Sequence, residues 1–188
     1  MNVSIPHPGA GLVDEAPSIE DRKARLERLA THFDRVWRFV RRMGMPAHAA
    51  DDLAQEAFAI TAKNLGDISP GKEGAYFLST AIRKVKENRR SFGRSTDLEL
   101  VQPTARGEAA DVLLDEARAR AVLDASLADL EPDLRAVFVL HELEDLTMTE
   151  IADALGIPAG TVASRLRRAR ERWSESVRAR TRPSGGAP

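Results

Sequence analysis

The 188-residue chain contains no cysteine. That excludes disulfides, thiolate metal sites and a cysteine nucleophile, and a reducing cytoplasm is the simplest compartment. Aromatic residues are scarce at 5%, and no apolar run approaches the length of a membrane span. Few aromatics among abundant Ala, Leu, Arg and Glu favour helices over sheets. The first residues, MNVSIPHPGAGLVDEAPS, lack the basic start and apolar run of a signal peptide. His7, His32, His48 and His141 show no ligand spacing, and no serine sits in a nucleophile elbow. The sequence gives no reason to expect a metal, a cofactor or catalysis. A near P-loop, Gly66 to Glu73, ends in Glu where magnesium needs Ser or Thr, and follows a helical pattern rather than a strand.

Net charge is also low, at -1, but it is unevenly spread. Residues 20–95 carry 16 basic and 10 acidic side chains, residues 96–116 carry 1 and 6, and 8 arginines follow Ser164. Two basic segments flank an acidic one, the pattern of a chain that meets a polyanion at two places.

Apolar periodicity of three and four predicts helices throughout. The first runs from Ile19 to Met43, with Leu26, Leu29, Ala30, Phe33, Val36, Trp37 and Val40 in phase. The second runs from Pro46 to about Leu65, burying Ala50, Leu53, Ala54, Ala57 and Thr61. The third runs from about Ala75 to Phe92, burying Phe77, Leu78, Ala81, Ile82 and Val85. Residues 93–113 lose the pattern and read as a flexible acidic linker. Helices resume at Leu114–Leu130, Pro132 to about Glu144, Thr147–Leu155 and Pro158–Arg180. The expectation is an all-α chain of two small helical domains, 19–92 and 114–182, with disordered tails at 1–18 and 183–188.

The sharpest local signal lies near the C-terminus. Thr147 and Glu150 form a capping box that starts a helix. Gly156 supplies a left-handed stop, and Pro158 opens the next helix. Val162, Leu166, Ala169 and Trp173 make one stripe, leaving Gly160, Thr161, Ser164, Arg165 and Arg168 elsewhere on the N-terminal half. This is a helix-turn-helix whose second helix can enter a major groove. Its arginines can pair with guanine or phosphate.

Residues 130–173, LEPDLRAVFVLHELEDLTMTEIADALGIPAGTVASRLRRARERW, closely resemble region 4 of extracytoplasmic-function sigma factors. Three positions depart from that pattern: Pro132 falls one place late, Asp145 stands for Gly, and Ala163 stands for a frequent Lys. The segment DDLAQEAF, residues 51–58, resembles region 2.2. By itself it also suits a solvated amphipathic face whose early acids complement the helix dipole.

The resemblance implies a sigma factor of the bacterial cytoplasm, with no membrane insertion, that binds core RNA polymerase and promoter DNA. An anti-sigma factor is the further partner it implies. The core-binding face would be Asp51, Asp52, Gln55 and Glu56. The −10 element would meet Tyr76, Phe77, Arg83, Lys84, Lys86, Arg89 and Arg90, since bases stack on aromatics beside basic residues. Phe77 fits a core position equally well. The loop Asp67–Gly74 resembles one that holds a flipped base. The −35 element would meet Gly160, Thr161, Ser164, Arg165 and Arg168. Residues 93–113, fully extended, span roughly 70 Å, as do about two turns of DNA. The acidic linker would imitate nucleic acid in a basic channel. Two rivals remain: a stand-alone helix-turn-helix regulator, and an enzyme built on residues 20–95.

Overall fold

A computed structural model describes residues 19–91 and 108–181. Every regular element among them is helical, and there is no strand. The N-terminal bundle comprises α1 (Ile19–Ala30), α2 (Phe33–Arg42), α3 (Ala47–Lys63) and α4 (Glu73–Ser91). The C-terminal bundle comprises α5 (Glu108–Ala128), α6 (Pro132–Phe138), a π turn (Val139–Leu143), α7 (Met148–Leu155) and α8 (Ala159–Thr181). No helix among the described residues is long and apolar enough to cross a membrane.

The expected single helix from Ile19 to Met43 is two. Thr31 turns its hydroxyl back to donate to the Arg28 carbonyl at 2.7 Å, offering the backbone an alternative to helix. The chain then restarts as helix at Phe33. The break changes what faces inward: Ala30 is exposed, while Arg25 and Phe39 are buried. Helix α5 begins at Glu108 rather than Leu114, so its first turns occupy the end of the expected linker. The remainder of that linker and both expected tails lie outside the described residues.

The N-terminal core forms where the apolar stripes of α2, α3 and α4 converge. Ala50, Ala54 and Ala57 on α3 are buried, and such small side chains let neighbouring helices come close. Phe33, Phe58 and Phe77, one from each of those helices, meet with ring centroids 5.7–6.2 Å apart. The Phe33–Phe58 and Phe58–Phe77 pairs are edge-on, and such contacts add about 0.5–1.5 kcal/mol per pair beyond burial. Arg25 reaches from α1 to Glu73 at the start of α4 (2.7 Å) and to the Ile68 carbonyl, pinning the loop between α3 and α4. Burial pushes the Glu73 carboxyl up, but hydrogen bonds from its own backbone N–H, from Arg25 and from the Gly71 N–H bring it below the ordinary carboxylate range. Gly74 leaves room for the His32 ring, which a Cβ would approach within 2.7 Å and force to shift.

In the C-terminal bundle α8 packs against α5, α6 and α7. Trp173 lies on Phe138 at 4.9 Å between ring centroids. The stretch expected as one helix from Pro132 to Glu144 widens after Phe138 into a π turn, closed by Glu144 N–H donating to the Val139 carbonyl. Asp145 follows with φ 56°, a left-handed conformation that Asp tolerates better than most residues. It ends the π turn just ahead of α7.

The two bundles are packed together. Helix α4 lies against α7, and α2 against the π turn. Arg38 donates to both oxygens of Glu144 (2.8 and 3.3 Å), and Arg42 donates to the same carboxylate and to the Leu143 carbonyl (3.3 Å). Buried Arg135 donates to the Met43 carbonyl at 3.2 Å. Gly44, with φ 92°, permits that approach, since a Cβ there would sit 3.0 Å from the Arg135 guanidinium.

Candidate nucleic-acid interface

The helix-turn-helix forms for the reasons legible in its residues. The Thr147 N–H donates to the Glu150 carboxylate at 2.9 Å, and the Glu150 N–H to the Thr147 hydroxyl at 3.3 Å, so the capping box is complete. The backbone N–H of Thr147 is the first cause holding the Glu150 carboxyl below its ordinary range, followed by the Thr147 hydroxyl. Arg35 and Lys72 of the other bundle contribute more weakly. Gly156 adopts φ 64° and ends α7, and Ile157 N–H returns to the Ala152 carbonyl. Val162, Leu166 and Ala169 are buried and Trp173 is half-buried, as the stripe predicts.

That stripe turns the other face of α8 outward. Gly160, Ser164 and Arg168 are exposed, and Thr161 is half-buried. Gly160 has open space where a Cβ would be. Arg168 has no carboxylate partner among the described residues. Arg165 differs: it is bound to Asp133 at the start of α6 (2.7 Å). Farther along the same helix, Arg167 pairs with Glu171 and Arg170 with Glu142. The late arginines are therefore not equivalent: among the described ones Arg168 and Arg178 have no carboxylate partner, and of these two Arg168 lies on the N-terminal half of α8.

The polar candidates Asp51, Asp52, Gln55 and Glu56 are all exposed on α3, while Leu53 and Ala57 are buried. Asp51 accepts a hydrogen bond from the Trp37 indole at 2.6 Å, which ties this face to α2. Glu56 accepts from Lys84 of α4 at 2.7 Å, and this bond is the main cause of the raised Lys84 pKa. Two residues expected on different surfaces thus share an ion pair where α3 and α4 adjoin.

On α4, Arg83 and Lys86 are exposed. Tyr76 is half-buried, its hydroxyl accepting from Asn64 at 3.2 Å. Phe77 needs correction: its side chain is fully buried in the aromatic cluster and has no face for an unpaired base. Helical phase sends residue 77 inward and leaves residue 76 at the surface. The side chains of Arg89 and Arg90 lie outside the described residues. Sequence reasoning passed over Lys72. It stands just before α4, beside an open cavity of about 290 Å³ lined also by Asp67, Tyr76, Ser79 and, from α7, Asp153. The signal was the Gly71-Lys72 pair of the rejected P-loop, a basic residue at a helix start.

The described residues hold no cluster of His, Cys, Asp or Glu suited to a metal ion. The arrangement instead joins a helix-turn-helix with an outward arginine to a helical bundle that carries basic and acidic faces. This defines a two-domain helical protein of the nucleic-acid-reading class.

Comparison with known proteins specifies the class. Sigma-70 region 2 matches residues 29–95, and Sigma-70, region 4 matches residues 120–172. The RNA polymerase sigma-E factor of Streptomyces coelicolor is 34% identical over 156 residues, covering 82% of this chain and 86% of that protein. The ECF RNA polymerase sigma factor SigE of Mycolicibacterium smegmatis is 32% identical over 149 residues, covering 77% of this chain but only 58% of that longer protein. CnrH, solved in complex with the cytosolic domain of CnrY, shares the fold with a TM-score of 0.63 at 24% identity, covering 84% of this chain and 90% of that one. RpoE of Bartonella quintana, solved with the anti-sigma factor NepR, shares it with a TM-score of 0.63 at 18% identity, covering 83% and 98%. The chain belongs to the extracytoplasmic-function sigma factors of the sigma-70 family. Its function is that of an RNA polymerase sigma factor in promoter-specific transcription initiation.

Proposed function

We propose that the outer face of α8 reads the −35 element through Gly160, Thr161, Ser164, Arg165 and Arg168, and that α4 captures the −10 element through Tyr76, Arg83, Lys84, Lys86, Arg89 and Arg90, with Lys72 added to that set. The observation that carries the reading is the stripe of α8. Burying Val162, Leu166 and Ala169 commits the opposite face, with Arg168, to solvent or DNA. Arg165 joins the DNA contact by exchanging Asp133 for a phosphate or guanine, a trade between two charge-assisted bonds.

The exposed face of Asp51, Asp52, Gln55 and Glu56 binds core RNA polymerase. Residues 19–92 and 114–182 act as the two functional units, with α5 leading into the second from Glu108. The polymerase performs the chemistry and this chain performs none, working in the bacterial cytoplasm. An anti-sigma partner is the expected means of restraint, as for the Bartonella relative captured with NepR. A stand-alone regulator would leave the polar face of α3 and the region 2 match without a role.

Run-off transcription with purified core polymerase tests the proposal. The expected result is promoter-specific product only when the protein is present. Its absence, together with failure to co-purify with core polymerase, would overturn the reading.

A further inference from the structure

The arginines in the N-terminal half of α8 are held in different ways. Thr161, Ser164, Arg165 and Arg168 follow one another at three- and four-residue spacing, so they share one face of the helix beside the buried stripe. Arg168 stands exposed on that face, with no carboxylate partner among the described residues. Arg167 pairs with Glu171, four residues farther along α8 itself. Arg165 instead reaches off the helix: its Nη2 lies 2.7 Å from Oδ2 of Asp133, in the first turn of α6. The two side chains keep 27% and 50% of their surface. Such a solvated pair adds only about 0–1 kcal/mol to the fold. A guanidinium carries five N–H donors, and one carboxylate does not occupy them all.

The pair has two consequences for a helix that reads DNA. A phosphate that draws Arg165 away leaves the Asp133 carboxylate bare beside a polyanion. That bare acid takes up a cation as the phosphate gives one up, so the sequence-independent gain is largely cancelled. A base edge is different. It is neutral, the guanidinium has donors left for it, and an arginine already fixed at its tip gives up less rotamer freedom on binding. We infer that Asp133 is a positioning residue for promoter reading: it disfavours phosphate as a partner for Arg165 and presents the guanidinium, oriented, to a guanine edge. The inference deepens the proposed reading of the −35 element by α8 and rests on it. It gives the two arginines of this face separate tasks, with Arg168 supplying charge and Arg165 supplying discrimination.

The experiment uses the full-length chain reconstituted with core RNA polymerase. Two fluorescent probes are compared: the duplex that the parent complex selects from a randomised pool, and the unselected pool itself. Anisotropy over a series of salt concentrations gives each affinity and its salt slope, and the ratio of the two affinities gives discrimination. Asp133→Asn keeps the shape of the side chain and removes the charge, while Asp133→Glu keeps a carboxylate. Both are set beside the parent, Arg165→Ala, and the double variant Asp133→Asn with Arg165→Ala. Arg168→Ala reports separately on whether α8 touches DNA. Circular dichroism and thermal melting establish that each variant is folded, which the modest worth of the ion pair leads one to expect.

Asp133→Asn should bind the unselected pool about fivefold more tightly, with a salt slope steeper by about 0.9, the contribution of one phosphate. The selected duplex should gain less than about twofold, so discrimination falls. Asp133→Glu should keep the parent slope. In the Arg165→Ala background, Asp133→Asn should change neither slope nor discrimination. A folded Asp133→Asn with parent slope and parent discrimination overturns the inference, and weaker binding by Arg168→Ala in the same experiment leaves the α8 reading standing. A steeper slope that persists without Arg165 also overturns it, because Asp133 then acts on DNA by repulsion alone. If Arg168→Ala also leaves both affinities and slopes unchanged, the α8 reading fails and the inference fails with it.

Discussion

Replacing Arg25 by Ala tests how the loop before α4 is held. Arg25 is buried, and it bridges Glu73 and the Ile68 carbonyl. Its removal strands the Glu73 carboxylate, whose side chain is 3% exposed. Breaking one side of a buried pair costs about 3–5 kcal/mol. Arg28 stands 3.7 Å from the same carboxylate and is half-exposed, so it recovers part of the loss. The expected cost is then about 3 kcal/mol, the lower end of that range. In urea this shifts the midpoint by about 1–2 M.

The assay is urea unfolding followed by tryptophan fluorescence in a Trp173→Phe background, where Trp37 alone reports on the N-terminal bundle. The pH dependence has a definite sign. The Glu73 pKa is depressed in the folded chain, so the pair contributes stability above the ordinary Glu range. That contribution is lost as pH falls through the folded value. The gap between parent and variant should therefore be widest near neutral pH and narrow in acid. A variant within about 0.5 kcal/mol of the parent at pH 7 would refute the reasoning, because surface substitutions fall in that range. So would a gap that widens in acid.

Three further outcomes are expected. Arg168→Ala should weaken promoter-fragment binding by about 1–3 kcal/mol in an electrophoretic or anisotropy assay, with Arg165→Ala in the same range less whatever is regained by freeing Asp133; unchanged affinity and salt dependence in both would remove them from the DNA surface. Asp52→Ala with Glu56→Ala should weaken capture of core polymerase in a pull-down while leaving circular dichroism unchanged, and normal capture would return α3 to a solvated face. Thr147→Ala should cost about 1 kcal/mol in thermal unfolding of the C-terminal bundle by removing the capping box, and an unshifted melt would show that packing alone fixes the start of α7.

The sequence was most legible where one element's own pattern settles its structure. Alanine and leucine spacing on α3, and the stripe Val162, Leu166, Ala169, Trp173 on α8, each determine a buried face without reference to other helices. The capping box and Gly156 are equally local. What escaped is what depends on distant partners. Arg25 looks like a surface residue until Glu73, 48 positions later, is brought against it. Arg38 and Glu144 are 106 positions apart, and nothing in either neighbourhood announces that they pair. Phe77 fitted two roles because an aromatic beside basic residues suits a base as well as a core. Only the positions of Phe33 and Phe58 decide between them. The break at Thr31 escaped because apolar phase continues across it even though the helix does not.

The junction at Val139–Asp145 has a bearing on how this chain can vary. The hydrogen bond of a π turn spans one more residue than that of an α-helix, and the left-handed residue after it reverses the local winding. Together they set the angle at which the helix-turn-helix leaves the residue that grips the other bundle. Position 145 is thereby closed to almost every side chain: Gly, Asn and Asp enter at little cost, and others carry a penalty of about 1–2 kcal/mol. Asp in place of the glycine of the related pattern keeps the bend while adding a negative charge to it. On the proposed reading of α8, changes on its outer face would retune which bases are read. A change at this joint would instead re-aim the whole reading head.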